Sequence, residues 1–322
     1  MDIRRPHAFV LLLCVSVALR GRILRAAAIN QRPLIGILAQ EVSDKFANYG
    51  SSYIAASYVK YLESAGARVV PISTKLSEAE YRKLFYSING VLFPGGHVNL
   101  QTSQYAKIAS LFYDLAIQAY DHGTYFPILG VCLGFEQLTV LTSGKNLLVA
   151  TNTKNVSLPL KFSQAAATSR MFKNVPEDLM KALVVEPLTG NFHKWSLSVE
   201  QFERNEDLKN FYKILTTNTD SQQIEFISTM EAHSYPIYGV QWHPEKNPYE
   251  WNPNISIPHT SNAVKLTWYM ADFFVSEAQK NWHHFPNEKE EEGALIYNYA
   301  PIYAGNISSF EQIYVIDKPS FS

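Results

Sequence analysis

Two cysteines occur in the 322-residue chain, and one of them, Cys132, stands where a thiol can do chemistry. It sits in Gly-Val-Cys-Leu-Gly (130–134), directly after the apolar run Tyr125–Val131 and ahead of a helical segment over Gly134–Thr142. A strand, a glycine-flanked turn and a helix together push a nucleophile out at the carboxyl end of a parallel strand. Glycines on both sides let strand and helix approach around a strained turn, because neither carries a Cβ. The helix N-terminus then places partial positive charge beside the thiol and favours thiolate.

Acyl transfer through such a thiol needs a base, a group that orients the base, and donors for the oxyanion. Gly239-Val-Gln-Trp-His243-Pro-Glu245 puts a histidine just past an apolar strand, with a carboxylate two residues on. Residues two apart in extended chain point the same way. Glu245 is therefore expected to hold one ring nitrogen of His243 while the other faces Cys132. The backbone N–H of Leu133 is the oxyanion donor at the elbow. The Gly95–Gly96 turn, at the end of a neighbouring strand, can bring a second donor. Taken singly, His243 reads as a surface or internally satisfied histidine, the glycine pair as a tight turn, and a lone cysteine as a small hydrophobe. Their joint occurrence in one alternating α/β pattern carries the argument. The cysteine and histidines show no ligand-like clustering, so neither metal nor cofactor is expected.

The elements that must position these residues follow from periodicity. Apolar runs predict strands at Pro33–Ala39, Arg68–Ile72, Gly90–Phe93, Pro127–Val131 and Tyr238–Trp242. Between them, helices are expected over Ser52–Ser64 (stopped by Gly66), Ser77–Phe85, Tyr105–Tyr120 and Ser261–Gln279. Leu158–Leu160, Met180–Val185 and Gln223–Ser228 fit either strand or short helix. The tail Ala294–Ile316 is rich in β-favouring residues and is expected to pack on the domain. Asn287–Gly293, with four glutamates, reads as a solvated loop. Continuous apolar strands alternating with amphipathic helices give an α/β fold in three layers, a mostly parallel central sheet with helices on both faces and the nucleophile elbow at a strand C-terminus.

Composition is that of a globular domain, 47% hydrophobic and 18% charged. Residues 1–28 have the layout of a cleaved signal peptide: Arg4 and Arg5, an apolar stretch Ala8–Leu19, then Ala26–Ala28. Arg20, Arg22 and Arg25 blur the cleavage point and leave an uncleaved anchor as the alternative. Residues 29–322 are expected to form one α/β domain. Removing the leader also removes Cys14, which leaves a single thiol and no internal disulfide. It leaves 23 basic and 28 acidic residues, a net charge of about −5. No basic block suggests nucleic acid, and no later segment is apolar and long enough to span a membrane. Asn155-Val-Ser, Asn254-Ile-Ser and Asn306-Ile-Ser fit the glycosylation pattern, which with the leader points to secretion or a lysosome.

Gly-Val-Cys-Leu-Gly, Phe-Pro-Gly-Gly (93–96) and Trp-His-Pro-Glu (242–245) resemble the motifs of the class I glutamine amidotransferase-like fold, over roughly Pro33 to Gln279. Within it the chain is similar to the γ-glutamyl hydrolase family. Phe135-Glu136 stands where amidotransferases usually carry His-Gln. Asn191-Phe-His-Lys-Trp-Ser196 resembles a hydrolase segment, and the match continues from Gln241 to Trp251. The resemblance implies a Cys132–His243–Glu245 triad and a γ-glutamyl thioester, with Gly96 and Leu133 as oxyanion donors and Glu136 and His193 shaping the glutamyl pocket. It implies folate poly-γ-glutamates and antifolate analogues as substrates, and a homodimer. So anionic a substrate needs local cations, for which Lys154, Lys161, Lys194 and Lys246 lie near the motifs, or an acidic medium. Two rivals are a glutaminase-type amidase and a secreted glycoprotein that keeps the fold without catalysis. The leader and Phe135-Glu136 count against the first, the complete triad against the second.

Overall fold

The computed structural model describes residues 28–42 and 46–317. Most of the leader, with Cys14, lies outside the described residues. At the centre is an eight-stranded sheet in the spatial order 68–72, 34–38, 90–93, 128–131, 237–240, 225–232, 212–219, 161–162. The first five strands are parallel, and the last three join in antiparallel pairs.

Side chains alternate between two cores, as the period-2 pleat requires. Ile35, Ile37, Leu92, Leu129, Val131 and Val240 face one core, together with Leu62, Leu266 and Met270 of helices Ala56–Glu63 and Ser261–Ala278. Leu34, Leu38, Val91, Phe93, Ile128 and Ile237 face the other, with Leu84, Phe112 and Leu138 of helices Glu78–Phe85, Gln104–Asp121 and Leu133–Ser143. Burial on both faces explains why these strands are continuously apolar in sequence.

Apart from the start of the helix expected over Ser52–Ser64, the predicted parallel strands and their helices are present within a residue or two. Ser77 caps its helix reciprocally with Glu80, and Gly66 ends the helix before it at φ 89°. Met180–Val185 falls in helix Glu177–Val185, and Gln223–Ser228 overlaps strand Glu225–Ala232.

Two expectations are corrected. Ser52–Ala55 is a strand, and the helix begins only at Ala56. Those four residues pair with Gln40–Glu41 and with Gln312–Val315 of the tail, partners more than 250 residues apart that local periodicity does not see. The acidic run is helical over Glu288–Ala294 rather than a loop. Asn287 accepts the Glu290 N–H at 2.9 Å, and glutamates in the first turn suit the helix N-terminus. Glu290 then pairs with Lys83 at 2.6 Å and Glu291 with Arg68. Strand Tyr212–Thr219 was invisible to the pattern because its outer half, Thr-Thr-Asn-Thr, is polar.

Candidate active site

Cys132 closes the gap between strand Ile128–Val131 and helix Leu133–Ser143 at φ 52° and ψ −105°. A side-chain-bearing residue there is strained by about 1–3 kcal/mol and is held only because its surroundings over-determine it. Its N–H donates to Val240 O at 2.9 Å, and its carbonyl accepts the Glu136 N–H at 3.0 Å. A Cβ on Gly134 would lie 2.0 Å from the Phe93 carbonyl oxygen, so the elbow helix can sit this close to the neighbouring strand only with glycine there.

His243 follows the strand Ile237–Val240 through a bend, not as its extension. Its N–H donates to Gly190 O at 3.0 Å, and its ring lies 5.6 Å from that of Phe192. The ring Nδ1 meets Glu245 Oε1 at 2.7 Å. Glu245 is fully buried and His243 nearly so. Burial pushes the imidazole below its ordinary pKa, against the pull of Glu245. Burial works the other way on Glu245, but the charge and hydrogen bond of His243, aided by Lys246, bring it below the usual carboxylate value. The resting pair is neutral imidazole beside carboxylate. Nδ1 carries the hydrogen, since the carboxylate is acceptor only.

Gly95 lies between nucleophile and base. A Cβ there would meet His243 Cε1 at 2.8 Å and Cys132 Cβ at 3.2 Å, which places the ring edge and the thiol-bearing carbon against the same glycine. Gln40 Nε2 donates to the Gly95 carbonyl at 2.8 Å, and the space beside Gly96 is filled by the Gln40 amide, 1.9 Å from where a Cβ would be. The Leu133 N–H points to the Cys132 thiol. The structure therefore gathers Cys132, His243, Glu245, Leu133 and the glycine pair, which lie up to 150 residues apart in sequence.

One electrostatic expectation is overturned. Burial, then the carboxylates of Glu136 and Glu245, raise the Cys132 thiol well above its ordinary value; Lys246 and the Leu133 N–H oppose this but do not prevail. The helix N-terminus is outweighed by desolvation, and the resting group is a thiol.

Glu136 is buried on the first turn of the elbow helix and accepts from Gln241 Nε2 at 3.2 Å. Burial pushes its pKa up to about 8, so at neutral pH it is mostly the neutral acid. His193 is also buried, and burial pushes it down to about 3. Its Nδ1 is within 2.9–3.1 Å of Thr153, Trp195 O and Ser196, and its Nε2 lies 3.0 Å from Asn191 Oδ1. Both ring nitrogens are already engaged within the protein, and neither ring nitrogen is left over for a ligand.

Of the four lysines near the motifs, Lys154, Lys161 and Lys194 are exposed and Lys246 is buried. The Lys246 Nζ lies 4.4 Å from the Phe310 ring centroid and 5.7 Å from that of Phe192. Tyr58 lies on the buried face of helix Ala56–Glu63. Its hydroxyl accepts the Gly95 N–H at 2.8 Å and stands 3.4 Å from His243 Nδ1. No sequence signal marks it, because its distance from Gly95 is set by the packing of a whole helix on the sheet. Asn155, Asn254 and Asn306 are all exposed. Among the described residues no group of three or more histidine, cysteine, aspartate or glutamate side chains is placed to hold a metal ion, and no helix is long and apolar enough to cross a membrane.

The Peptidase C26 family matches residues 33–245. The chain is 60% identical over 288 residues to a γ-glutamyl hydrolase of Homo sapiens, covering 89% of this chain and 90% of that protein. It is 41% identical to γ-glutamyl hydrolase B of Dictyostelium discoideum (90% of this chain, 84% of that protein) and 36% identical to γ-glutamyl hydrolase 1 of Arabidopsis thaliana over the same shares. Among solved structures, the glutaminase domain of a Trypanosoma brucei CTPS aligns with TM-score 0.50 at 15% identity, over 78% of this chain and 96% of that one. That likeness concerns the fold.

Proposed function

The chain belongs to the γ-glutamyl hydrolases of the Peptidase C26 family, and from that premise we propose that it cleaves folate poly-γ-glutamates through a γ-glutamyl thioester on Cys132. The observation that carries the mechanism is the His243 Nδ1–Glu245 contact at 2.7 Å, with the ring edge against the same glycine as the elbow cysteine. Because the resting thiol is protonated, activation and attack are coupled. His243 Nε2 takes the Sγ proton as sulfur bonds to the γ-carbonyl carbon. The carbonyl oxygen becomes the oxyanion, received by the N–H groups of Leu133 and Gly96. The imidazolium, stabilised by Glu245, returns the proton to the leaving nitrogen as the C–N bond breaks. Water then adds to the thioester with His243 again as base, releasing the γ-carboxyl product and the thiol.

Glu136, as a neutral acid, and Lys246 face the substrate in this reading. The Lys246 ammonium, buried and close enough for its charge to act on Glu245, is the cation this reading assigns to a glutamate carboxylate. His193 supports the pocket wall from within its own hydrogen-bond network. The leader and the exposed sequons at Asn155, Asn254 and Asn306 support export to a secreted or lysosomal location with glycosylation, in a chain that acts as one domain over 29–322 and pairs as a homodimer.

The test is product analysis with a pteroyl poly-γ-glutamate at mildly acidic pH, beside a tube of glutamine. Shortened folate with released glutamate or γ-glutamyl peptide is expected. Ammonia from glutamine with the polyglutamate intact would replace this reading with an amidase.

A further inference from the structure

The hydroxyl of Tyr58 bridges the two halves of the site. The ring is buried on helix Ala56–Glu63, 2% exposed. Its oxygen accepts the Gly95 N–H at 2.8 Å, which removes that amide from the set free to bind an oxyanion and pins the Pro94–Gly95 peptide; the next peptide, which carries the Gly96 N–H, is held at the Gly95 carbonyl by Gln40. The same oxygen stands 3.4 Å from His243 Nδ1. Nδ1 already gives its hydrogen to Glu245, so it cannot accept the tyrosine's. The hydrogen of Tyr58 is left for the Glu245 carboxylate, whose negative charge and side-chain hydrogen bond both act on the hydroxyl. One hydroxyl thus faces the oxyanion loop with its lone pair and the dyad with its proton.

We infer that Tyr58 is a positioning residue, which locks the Gly95–Gly96 loop in register with the His243–Glu245 pair so that base and oxyanion donors address the same carbonyl. It need not touch substrate. Its helix is entered from strand Ser52–Ala55, which the tail strand Gln312–Val315 and Gln40–Glu41 clamp from either side. The position of the hydroxyl is therefore set by the body of the protein, not by the loop it controls.

The inference rests on the mechanism proposed above, and the wild-type protein assayed in parallel separates the two. Tyr58→Phe keeps the ring and deletes the bridge. Expected is a fall in kcat of about ten- to a hundred-fold with KM within about two-fold, as for loss of alignment without loss of binding. Without the hydroxyl proton, Glu245 holds the imidazolium more strongly, so the acidic limb of kcat/KM should move to higher pH. Tyr61→Phe is the control. Tyr61 is equally buried on the same helix and also lies in the field of Glu245, but its hydroxyl has no hydrogen-bond partner among the described residues; its kcat should stay at the wild-type value. Wild-type kcat and pH profile in Tyr58→Phe would overturn the inference, as would equal losses in both variants tracking equal losses in Tm. A wild-type protein that leaves the polyglutamate intact would instead sink the underlying mechanism.

Discussion

At the scale of single residues, the site depends on burial more than on any one contact. Cys132 is a thiol at rest because desolvation, aided by the Glu245 carboxylate, outweighs the helix N-terminus. Its alkylation by iodoacetamide should therefore be slower than that of an exposed low-pKa cysteine, and should accelerate with pH only well above neutrality. Cys132→Ala should lower kcat by at least about 10⁴-fold with an unchanged circular dichroism spectrum, since nothing else at the elbow can attack. Residual turnover near wild type would refute the covalent route. Glu245→Gln keeps the shape beside His243 but withdraws the charge that stabilises imidazolium. A loss of about 10³-fold in kcat, read by steady-state kinetics, is expected by analogy with other orienting carboxylates. Lys246→Met keeps the stem between Phe192 and Phe310 and removes the ammonium. It should raise KM for an anionic polyglutamate and flatten the salt dependence of kcat/KM.

At the scale of elements, a few close approaches decide whether the strands and helices deliver these residues at all. Gly134 is the tightest of them around the elbow. Alanine there would drive its Cβ into the Phe93 backbone oxygen, and neither the strand nor the elbow helix can yield cheaply. Gly134→Ala is expected to destabilise the fold by about 3 kcal/mol or more, measured by denaturant unfolding. A variant with wild-type stability would mean that the elbow is looser than the structure has it. The small sheet that joins Ser52–Ala55 to the tail matters in the same way. It starts the helix of Tyr58, although the pairing of that strand with Gln40–Glu41 and with the tail is not visible to local periodicity.

At the scale of the whole molecule, buried titratable groups set the pH range of stability. Glu136 is raised from 4.5 to about 8, so the stability it allows is complete below its ordinary value and is lost as pH climbs through about 8. His193 is lowered from 6.5 to about 3, so its contribution is complete above its ordinary value and lost as pH falls toward about 3. The two together favour mildly acidic solution, the medium in which repulsion between an acidic protein and a polyanionic substrate is also weakest. Glu136→Gln should match the wild-type Tm in acid and exceed it increasingly as pH rises to about 8, by calorimetry. A gap that does not change with pH would show that the Glu136 carboxyl is not buried as described.

The sequence by itself determined the elbow, the parallel core and the three residues of the proposed triad, because each leaves a local mark: glycines at fixed offsets, apolar runs of strand length, and a histidine and a glutamate beside one strand end. Glu136 and His193 were marked only by the family resemblance. The tertiary structure alone decided the protonation of Cys132 and Glu136, the closed hydrogen-bond shell of His193, the burial of Lys246 where three other lysines are exposed, and the place of Tyr58. Each of these depends on desolvation or on contact between segments far apart in the chain. Burial is a property of everything that packs around a group, and no short window of sequence contains it.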